Sequence, residues 1–257
     1  MLIEIFIFVI GLVVGSFLNV CIQRLPREES IVKPGSRCPE CKHGIAWHDN
    51  VPLLSFLLLG GRCRHCHTRI SFRYPLIELI SGGIWLWSWQ ADGNPALFLI
   101  RTVFVSILLV TTVTDLETGL IPDEFNLFGT AVGLAGSVIY PALHETSLVQ
   151  AALLRSVIGL LVGGGLIYIT GMMGDWIFQR ESMGGGDIKF LAMAGTFLGW
   201  EKVFLTFMTA PFLALPFALY LRWFKKEDVI PYGPFLSMAA GVHFLYGNWF
   251  WKNFLTL

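Results

Sequence analysis

Charged side chains are scarce in this sequence of 257 residues. They make up 14% of it, whereas hydrophobic residues make up 54%, and an average soluble domain carries about 25% charged residues. This shortage excludes an ordinary soluble domain, and the abundance of apolar residues excludes intrinsic disorder. The 18 basic and 18 acidic residues cancel, so no excess of positive charge indicates nucleic acid as a partner.

The first apolar stretch lacks the marks of a cleaved signal peptide. Glu4 stands where a basic segment is expected, and no small-residue cleavage site follows the apolar run. We therefore expect residues 2–22 to form a retained membrane helix.

The apolar residues occur in blocks of about 20, the length that crosses a bilayer as a helix. They predict an all-α polytopic membrane protein with seven or eight transmembrane helices, because two of the blocks are short. The predicted spans are 2–22, 76–91, 95–114, 125–141, 148–173, 188–200, 201–221 and 230–250.

The few charges are distributed unevenly, and this asymmetry predicts the orientation. The stretch 23–74 holds nine of the 18 basic residues and only four acidic ones. Positively charged loops stay in the cytoplasm, so this loop is expected to face inward. With eight crossings, the segments 115–124, 174–187 and 222–229 then also lie on the cytoplasmic side.

Four of the five cysteines stand in that loop as two C-x-x-C pairs. Cys38 and Cys41 form the first pair, and Cys63 and Cys66 form the second. This spacing is typical of a closed four-thiolate zinc site with a structural role. The alternative is disulfide bonding, which a reducing compartment disfavours. A thioredoxin-type redox motif would need a βαβ context, which the sequence lacks.

Several acids lie at or near the ends of predicted spans, where an ionised group is expensive. Glu78, one turn into the second span, is either an interfacial cap or a functional acid. Asp115 and Asp187 both fall at cytoplasmic ends of spans, and together they suggest two carboxyls that share a proton. The alternatives are that Asp115 is an acid whose side chain reaches the interface and that Asp187 or Asp123 is a helix N-cap.

The residues around Asp187 suggest supporting roles. Gly184, Gly185 and Gly186 precede it, and glycine tolerates positive φ and lets an extended substrate approach the backbone closely. Lys189 follows it and could favour an ionised carboxylate nearby, or it could anchor the helix at the interface.

These motifs resemble those of the bacterial prepilin peptidases, from about residue 11 to past residue 199. A glycine-rich segment ending in aspartate occurs in other membrane proteases as well, but the two cysteine pairs and the flanking motifs are specific to the bacterial bifunctional enzymes. The segments that carry the resemblance are GSFLNV at 15–20, RLP at 24–26, the cysteine pairs, RYPLIE at 73–78, Asp115 followed by IPD at 121–123, and GGGDIK at 184–189.

The resemblance implies an inner-membrane aspartic endopeptidase that removes the short basic leader of type IV prepilins and type II secretion pseudopilins, typically after a glycine. It implies that Asp115 and Asp187 are the catalytic residues and that Asp123 is not. It also implies N-methylation of the exposed residue, commonly phenylalanine, with S-adenosylmethionine as donor. No glycine-rich cofactor motif is present, so the residues that bind this donor are not predicted.

The predicted organisation has three parts: the first transmembrane helix at 1–22, a cytoplasmic zinc-binding loop associated with methyl transfer at 23–74, and a transmembrane peptidase region at 75–257. Two other functions fit the composition and topology. One is a transporter in which Asp115 and Asp187 relay protons, with the zinc loop as a docking element. The other is a membrane assembly factor, but neither accounts for the paired motifs.

Overall fold

The computed structural model describes residues 1–92, 94–179, 183–225, 230–250 and 253, and outside the stretch 28–72 these residues are largely helical. In this part of the chain no β-structure beyond isolated bridges occurs. The all-α prediction is therefore confirmed. The helices are α1 (Leu2–Arg24), the short α2 (Leu54–Leu58), α3 (Arg73–Asp92), α4 (Pro95–Thr118), α5 (Asp123–Ile139), α6 (Val149–Phe178), α7 (Gly185–Tyr220) and α8 (Gly233–Phe250), with 3-10 turns at Leu25–Arg27, Trp47–Asn50 and Pro141–His144 and a π-helical turn at Leu221–Lys225.

Among the described residues, four helical segments are long and apolar enough to cross a bilayer, judged by length and composition alone. They are Leu2–Arg27, Pro95–Thr118, Val149–Phe178 and Gly185–Phe224. Several such helices in one chain make this a multi-pass membrane protein. The helices α3, α5 and α8 coincide with further predicted spans, and they have 20, 17 and 18 residues.

Helix α7 is interrupted at Gly199, which has the non-helical angles φ 74° and ψ 173°. Leu191 and Val203 flank this break, and both contact Gly163 of α6. Twelve residues of continuous helix would separate them by about 18 Å, so the chain must fold back at Gly199. The predicted spans 188–200 and 201–221 are therefore two halves of one interrupted element. Glycine suits the break because a residue with a side chain rarely adopts this positive φ.

The chain divides into two compact units, Met1–Phe98 and Leu99–Leu257. In the first unit, α1 packs closely against α3. A Cβ atom on Gly15 would lie 2.7 Å from the Cα of Glu78, and the Ser81 hydroxyl donates a hydrogen bond of 2.8 Å to the carbonyl of Gly11. Small residues permit this backbone approach, and an interhelical hydrogen bond adds to it, as is common between membrane helices.

In the second unit, α6 and the first half of α7 are in backbone contact. A Cβ on Gly159 would lie 2.1 Å from the carbonyl oxygen of Gly195, and one on Gly195 would lie 2.0 Å from that of Gly159. The Ser156 hydroxyl donates a hydrogen bond of 2.8 Å to the Thr196 carbonyl across the same crossing. Neither glycine position leaves room for a side chain.

The remaining helices of the second unit bring several helix ends together. Gly129 of α5 lies against Ile107 of α4, and Gly136 lies against Ile100, so these two helices are antiparallel. Helices α4 and α8 are also antiparallel, because Asp115 contacts Gly233 while Phe104 contacts Phe244. As a result, the end of α4 and the beginnings of α5 and α8 lie at one end of the unit.

The apolar segment between the two cysteine pairs does not form the interior of the loop. It contains α2, whose Leu57 and Leu58 side chains are 71% and 86% exposed. Trp47, on the preceding turn, is 84% exposed. The segment 51–60 is too short to span a bilayer, so its sequence fits either the core of the loop or the membrane interface, and its exposure favours the interface.

Candidate active site and metal centre

Asp115 lies near the end of α4 and is buried, with 7% of the residue exposed. Its Oδ2 atom accepts a hydrogen bond of 2.7 Å from the backbone N–H of Gly233, the first residue of α8. A Cβ atom on Gly233 would lie 2.9 Å from the same oxygen. Helix α8 therefore presents a backbone donor to this carboxylate, and the approach requires a residue without a side chain.

Asp187 lies in the first turn of α7 and is half-buried. Its backbone N–H donates a hydrogen bond of 3.2 Å to the carbonyl of Gly184. The start of a helix favours a negative charge, and the charge of Asp187 interacts with that of Asp115. The structure thus brings together the two acids that the sequence singled out.

Tyr232 precedes α8 and stands beside the same pair. Its side chain is half-buried and interacts electrostatically with Asp187. Sequence reasoning missed both Tyr232 and Gly233. The available signal was an aromatic and a glycine held between Pro231 and Pro234 at the cytoplasmic end of a predicted span.

Two properties were expected of the three glycines before Asp187, a positive φ and room for a substrate to approach the backbone. Gly184 has φ −71°, and none of the three is among the described residues with positive φ. The expectation of positive φ is therefore wrong. A Cβ on Gly185 would meet nothing within 4 Å, whereas one on Gly186 would lie 3.1 Å from Ile121. Open space beside Gly185 fits the second expectation, close approach of a substrate.

Lys189 has a partner that the sequence did not suggest. Its Nζ lies 2.5 Å from Oδ2 of Asp123, and both side chains are largely exposed. The lysine therefore pairs with the acid that the resemblance excluded from catalysis. An exposed pair of this kind contributes little to stability, but it connects the starts of α5 and α7 beside the site.

The four cysteine thiols of the loop converge in the first unit. The sulfur atoms of Cys38, Cys41, Cys63 and Cys66 all lie within 4.8 Å of one another, and none of these residues is in a disulfide. The group can hold a metal ion. The Sγ atoms of Cys38 and Cys66 are 3.8 Å apart, which is about the separation of two thiolates on a tetrahedral ion with 2.3 Å bonds.

The two cysteine pairs have the same local fold, although the sequence shows no obvious repeat. Cys38 N–H bonds to the His43 carbonyl and Lys42 N–H to the Cys38 carbonyl, and the corresponding bonds link Cys63 with Thr68 and His67. Backbone N–H groups of Cys66 and His65 also bond to the Cys63 sulfur and lower the pKa of its thiol to about 7. A thiolate is the form that binds metal.

Glu78 is buried at the junction of α1, α3 and the loop. Its Oε2 atom accepts a hydrogen bond of 2.9 Å from the backbone N–H of Leu53, and its carboxylate also bonds to the Ser16 side chain. These contacts fasten the loop to α1, and whether Glu78 is a functional acid or an interfacial cap stays a prediction.

Beside Ser16 lies a groove of about 480 Å³ between α1 and the loop. Its walls are mainly apolar and include Phe17, Val20, Ile31, Val32 and Val51, while Ser16, Arg24, Ser36 and Asn50 supply polar atoms. Arg24 closes one side, since its guanidinium donates to the carbonyls of Ser30 and Gly35.

Both parts of the chain match known protein families. Residues 9–91 match the bacterial peptidase A24 N-terminal domain, and residues 102–219 match the type IV leader peptidase family. A relative in Pectobacterium carotovorum subsp. carotovorum is 35% identical over 267 aligned positions, which cover 90% of this chain and 89% of the relative. The chain belongs to the type IV leader peptidase family.

Other relatives agree with this assignment. A protein of Burkholderia pseudomallei (strain 1026b) is 32% identical, covering 96% of this chain and 86% of its own. One of Myxococcus xanthus (strain DK1622) is 40% identical over 79% of this chain, which spans 58% of that relative. All three are named prepilin leader peptidase/N-methyltransferase. No solved structure matches the chain.

Membership in this family decides between the functions that composition and topology left open. It identifies an enzyme with peptidase and methyltransferase activity rather than a transporter or an assembly factor.

The contact between Gly233 and Asp115 gives a first prediction. In the variant Gly233→Ala the new methyl group displaces the Asp115 carboxylate, and we expect the rate of leader cleavage to fall about a hundredfold, as small misplacements of reacting groups do. Cleavage of a purified prepilin in membranes measures this rate.

A matched control exists in the same helix. A Cβ on Gly241 would make only an ordinary contact, 3.5 Å from Leu108, so Gly241→Ala should cleave at the normal rate. Equal rates for the two variants would show that the close approach at Gly233 has no role in the site.

Proposed function

We propose that this protein cleaves the leader of type IV prepilins with Asp115 and Asp187 as its catalytic pair and then methylates the new N-terminus. The observation that supports this pair is that the charges of Asp115 and Asp187 interact in the folded second unit, although the two residues are 72 positions apart in the sequence. The Asp115 carboxylate also accepts a hydrogen bond from the first residue of α8, and Asp187 lies in the first turn of α7.

The proposed mechanism needs no covalent intermediate. Two carboxylates in close proximity cannot both ionise cheaply, so one of the pair holds a proton and the other is anionic. The anionic carboxylate takes a proton from a water molecule as the water oxygen attacks the peptide carbonyl. The protonated carboxyl polarises that carbonyl, and the amine leaves with a proton when the C–N bond breaks.

We place the pair and the cysteine loop on the cytoplasmic side of the bacterial inner membrane. The support is the concentration of nine basic residues in the stretch 23–74, because such loops stay inside. The apolar segment of the prepilin then lies among the helices, with its leader junction at the membrane boundary. Pseudopilins of type II secretion are proposed as further substrates, since they carry the same kind of junction.

The catalytic pair is tested by isosteric substitution. Asp115→Asn and Asp187→Asn each remove a group that holds or accepts a proton, and we expect cleavage to fall by about a hundredfold or more in each. The control is Asp123→Asn, an exposed acid whose carboxylate is paired with Lys189. Near-normal turnover by either of the first two variants would refute the pair.

We propose that the four-thiolate site holds zinc with a structural role. Four cysteines leave no open position for a substrate, and each pair is already shaped by backbone hydrogen bonds. Bound zinc would join the two halves of the loop, which carries one wall of the groove. The metal therefore supports the methyltransferase part, to which we assign the region 23–74.

Metal analysis tests the zinc site. The purified protein should contain about one equivalent of zinc, and a Cys38→Ser/Cys41→Ser variant should lose it. Methylation should then weaken before cleavage does. Cys21→Ser is the control, since Cys21 lies in α1 outside the cluster. Retention of zinc by the double variant would show that these residues are not its ligands.

We propose that the groove beside Ser16 binds S-adenosylmethionine. When bound, this cofactor supplies the methyl group that the new N-terminal amine receives. The groove is large enough, because small-molecule sites measure about 300–1,000 Å³. Its apolar walls suit the adenine ring, and Ser16, Ser36 and Asn50 offer polar atoms for orientation. Glu78 positions Ser16 and the backbone of Leu53 at its edge.

Filling the groove tests this assignment. Val51→Trp places a large side chain in it, and we expect binding of the unreactive product S-adenosylhomocysteine, measured by calorimetry, to weaken at least tenfold (about 1.4 kcal/mol). Leader cleavage should be unchanged. Leu58→Trp adds the same side chain to an exposed position of the same loop and should bind normally. Equal affinities for the two variants would place the cofactor elsewhere.

A further inference from the structure

One layer of the second unit contains buried polar side chains without partners. The Oγ1 of Thr111, both amide atoms of Asn126 and the Oγ of Ser237 make no hydrogen bond within the described part of the chain. These residues are 0%, 3% and 3% exposed. Buried polar groups are rarely left unpaired in native proteins, so each needs an explanation.

The lack of a partner at Thr111 is unusual for its own helix. Thr112, Thr114 and Thr118 of α4 each donate to the carbonyl four residues earlier, at 2.7, 2.9 and 2.8 Å. The hydroxyl of Thr111 has the same option in the sequence but does not use it. Its orientation is therefore consistent with an acceptor or donor outside its own helix.

The helix registers place the three residues at one level. Asp115 meets Gly233, and Leu108 lies against Gly241, so Thr111 and Ser237 occupy facing turns of α4 and α8. Ile107 lies against Gly129, and Ile100 against Gly136. By the same reasoning, Asn126 of α5 faces the turn of α4 that contains Thr111.

This level is one helical turn inside the bundle from the catalytic pair. Thr111 precedes Asp115 by four residues, and Ser237 follows Gly233 by four. On α7 the corresponding position is Phe190, three residues after Asp187 and fully buried. The registers thus place an aromatic residue of α7 at this level, together with buried polar side chains of α4, α5 and α8.

We propose that Thr111, Asn126 and Ser237 hold buried water one turn beneath Asp115, and that this site supplies the water consumed in peptide hydrolysis. Buried water characteristically bonds to two to four polar groups that have no other partner. The proposal rests on the proposed function, because it needs the aspartate pair. During hydrolysis the oxygen of one such water bonds to the carbonyl carbon, its proton passes to the anionic carboxylate, and bulk water refills the site.

The test measures the melting temperature and kcat, which respond differently when the layer holds water and when it is dry. Thr111→Val replaces the hydroxyl with a methyl group of similar size. If the layer is dry, the change removes an unsatisfied polar atom, and the melting temperature should rise while cleavage is unaffected. If the layer holds water, the change removes one of its ligands. The melting temperature should then stay the same or fall, and kcat should drop at least tenfold with KM changed less than twofold.

Three further variants complete the experiment with full-length protein. Ser237→Ala should reproduce the effect from a different helix, and Thr111→Ser should restore kcat because it restores the hydroxyl. Thr112→Val is the control, because the Thr112 hydroxyl is already bonded to Leu108, and it should cleave normally. If Thr111→Val does not fold, Ser237→Ala, which removes only one oxygen, decides the outcome by the same criteria.

Only the combination of a lower kcat and an unraised melting temperature supports the water site. A raised melting temperature, or a normal kcat, overturns it. The failure of the catalytic pair is recognised separately: if Asp115→Asn remains active, the proposed mechanism is wrong whatever the layer does. If Asp115→Asn is inactive and Thr111→Val is fully active, only the water site is wrong.

Discussion

An acidic side chain that leaves bulk water must find hydrogen-bond donors in the protein, and the arrangement of the second unit follows from how Asp115 meets this requirement. Its donor is a backbone N–H at the start of α8. Backbone N–H groups in the first turn of a helix have no partner within the helix, so those at the start of α8 can donate to a side chain. Because the donor comes from Gly233, the backbone can approach to 2.7 Å. The position of α8 is therefore tied to that of the Asp115 carboxylate.

Small residues provide the contacts that fix the helices around this site. Association between helices in lipid gains little from the hydrophobic effect, so close packing and interhelical hydrogen bonds must supply the stability. The crossing of Gly159 and Gly195 in the second unit and that of Gly15 and α3 in the first are of this kind. Hydroxyl groups of Ser81 and Ser156 bond to main-chain carbonyls beside these crossings. Each unit is thus held by backbone approach at a few points.

The sequence predicted those features that depend on local patterns. Blocks of apolar residues identified the membrane helices, the spacing of the cysteines indicated a metal site, and Asp115 and Asp187 stood out because ionisable groups at span ends are costly. The closed four-thiolate cluster needed only two pairs of neighbouring residues, so its geometry was largely contained in the spacing.

Features that depend on tertiary contacts were not predictable in this way. Gly233 is 118 residues from Asp115, and no local pattern connects them. Lys189 was expected either to favour an ionised carboxylate nearby or to anchor the helix at the interface, and neither alternative pointed to its pairing with Asp123 of α5. The hydrogen bond between Glu78 and Leu53 depends on where the loop folds back. Each of these depends on helix packing, which a single sequence does not specify.

The interruption of α7 at Gly199 determines at which end of the helix bundle the following segments lie. An uninterrupted helix of 36 residues would be about 54 Å long, far more than the roughly 30 Å of the hydrocarbon core. Such a rod would also end on the opposite side from where it began. By reversing the chain, one glycine returns it to the end where α7 started, so that α8 begins beside Asp115. A conformational property of this one residue thereby brings the start of α8 to the end of the unit at which Asp115 lies.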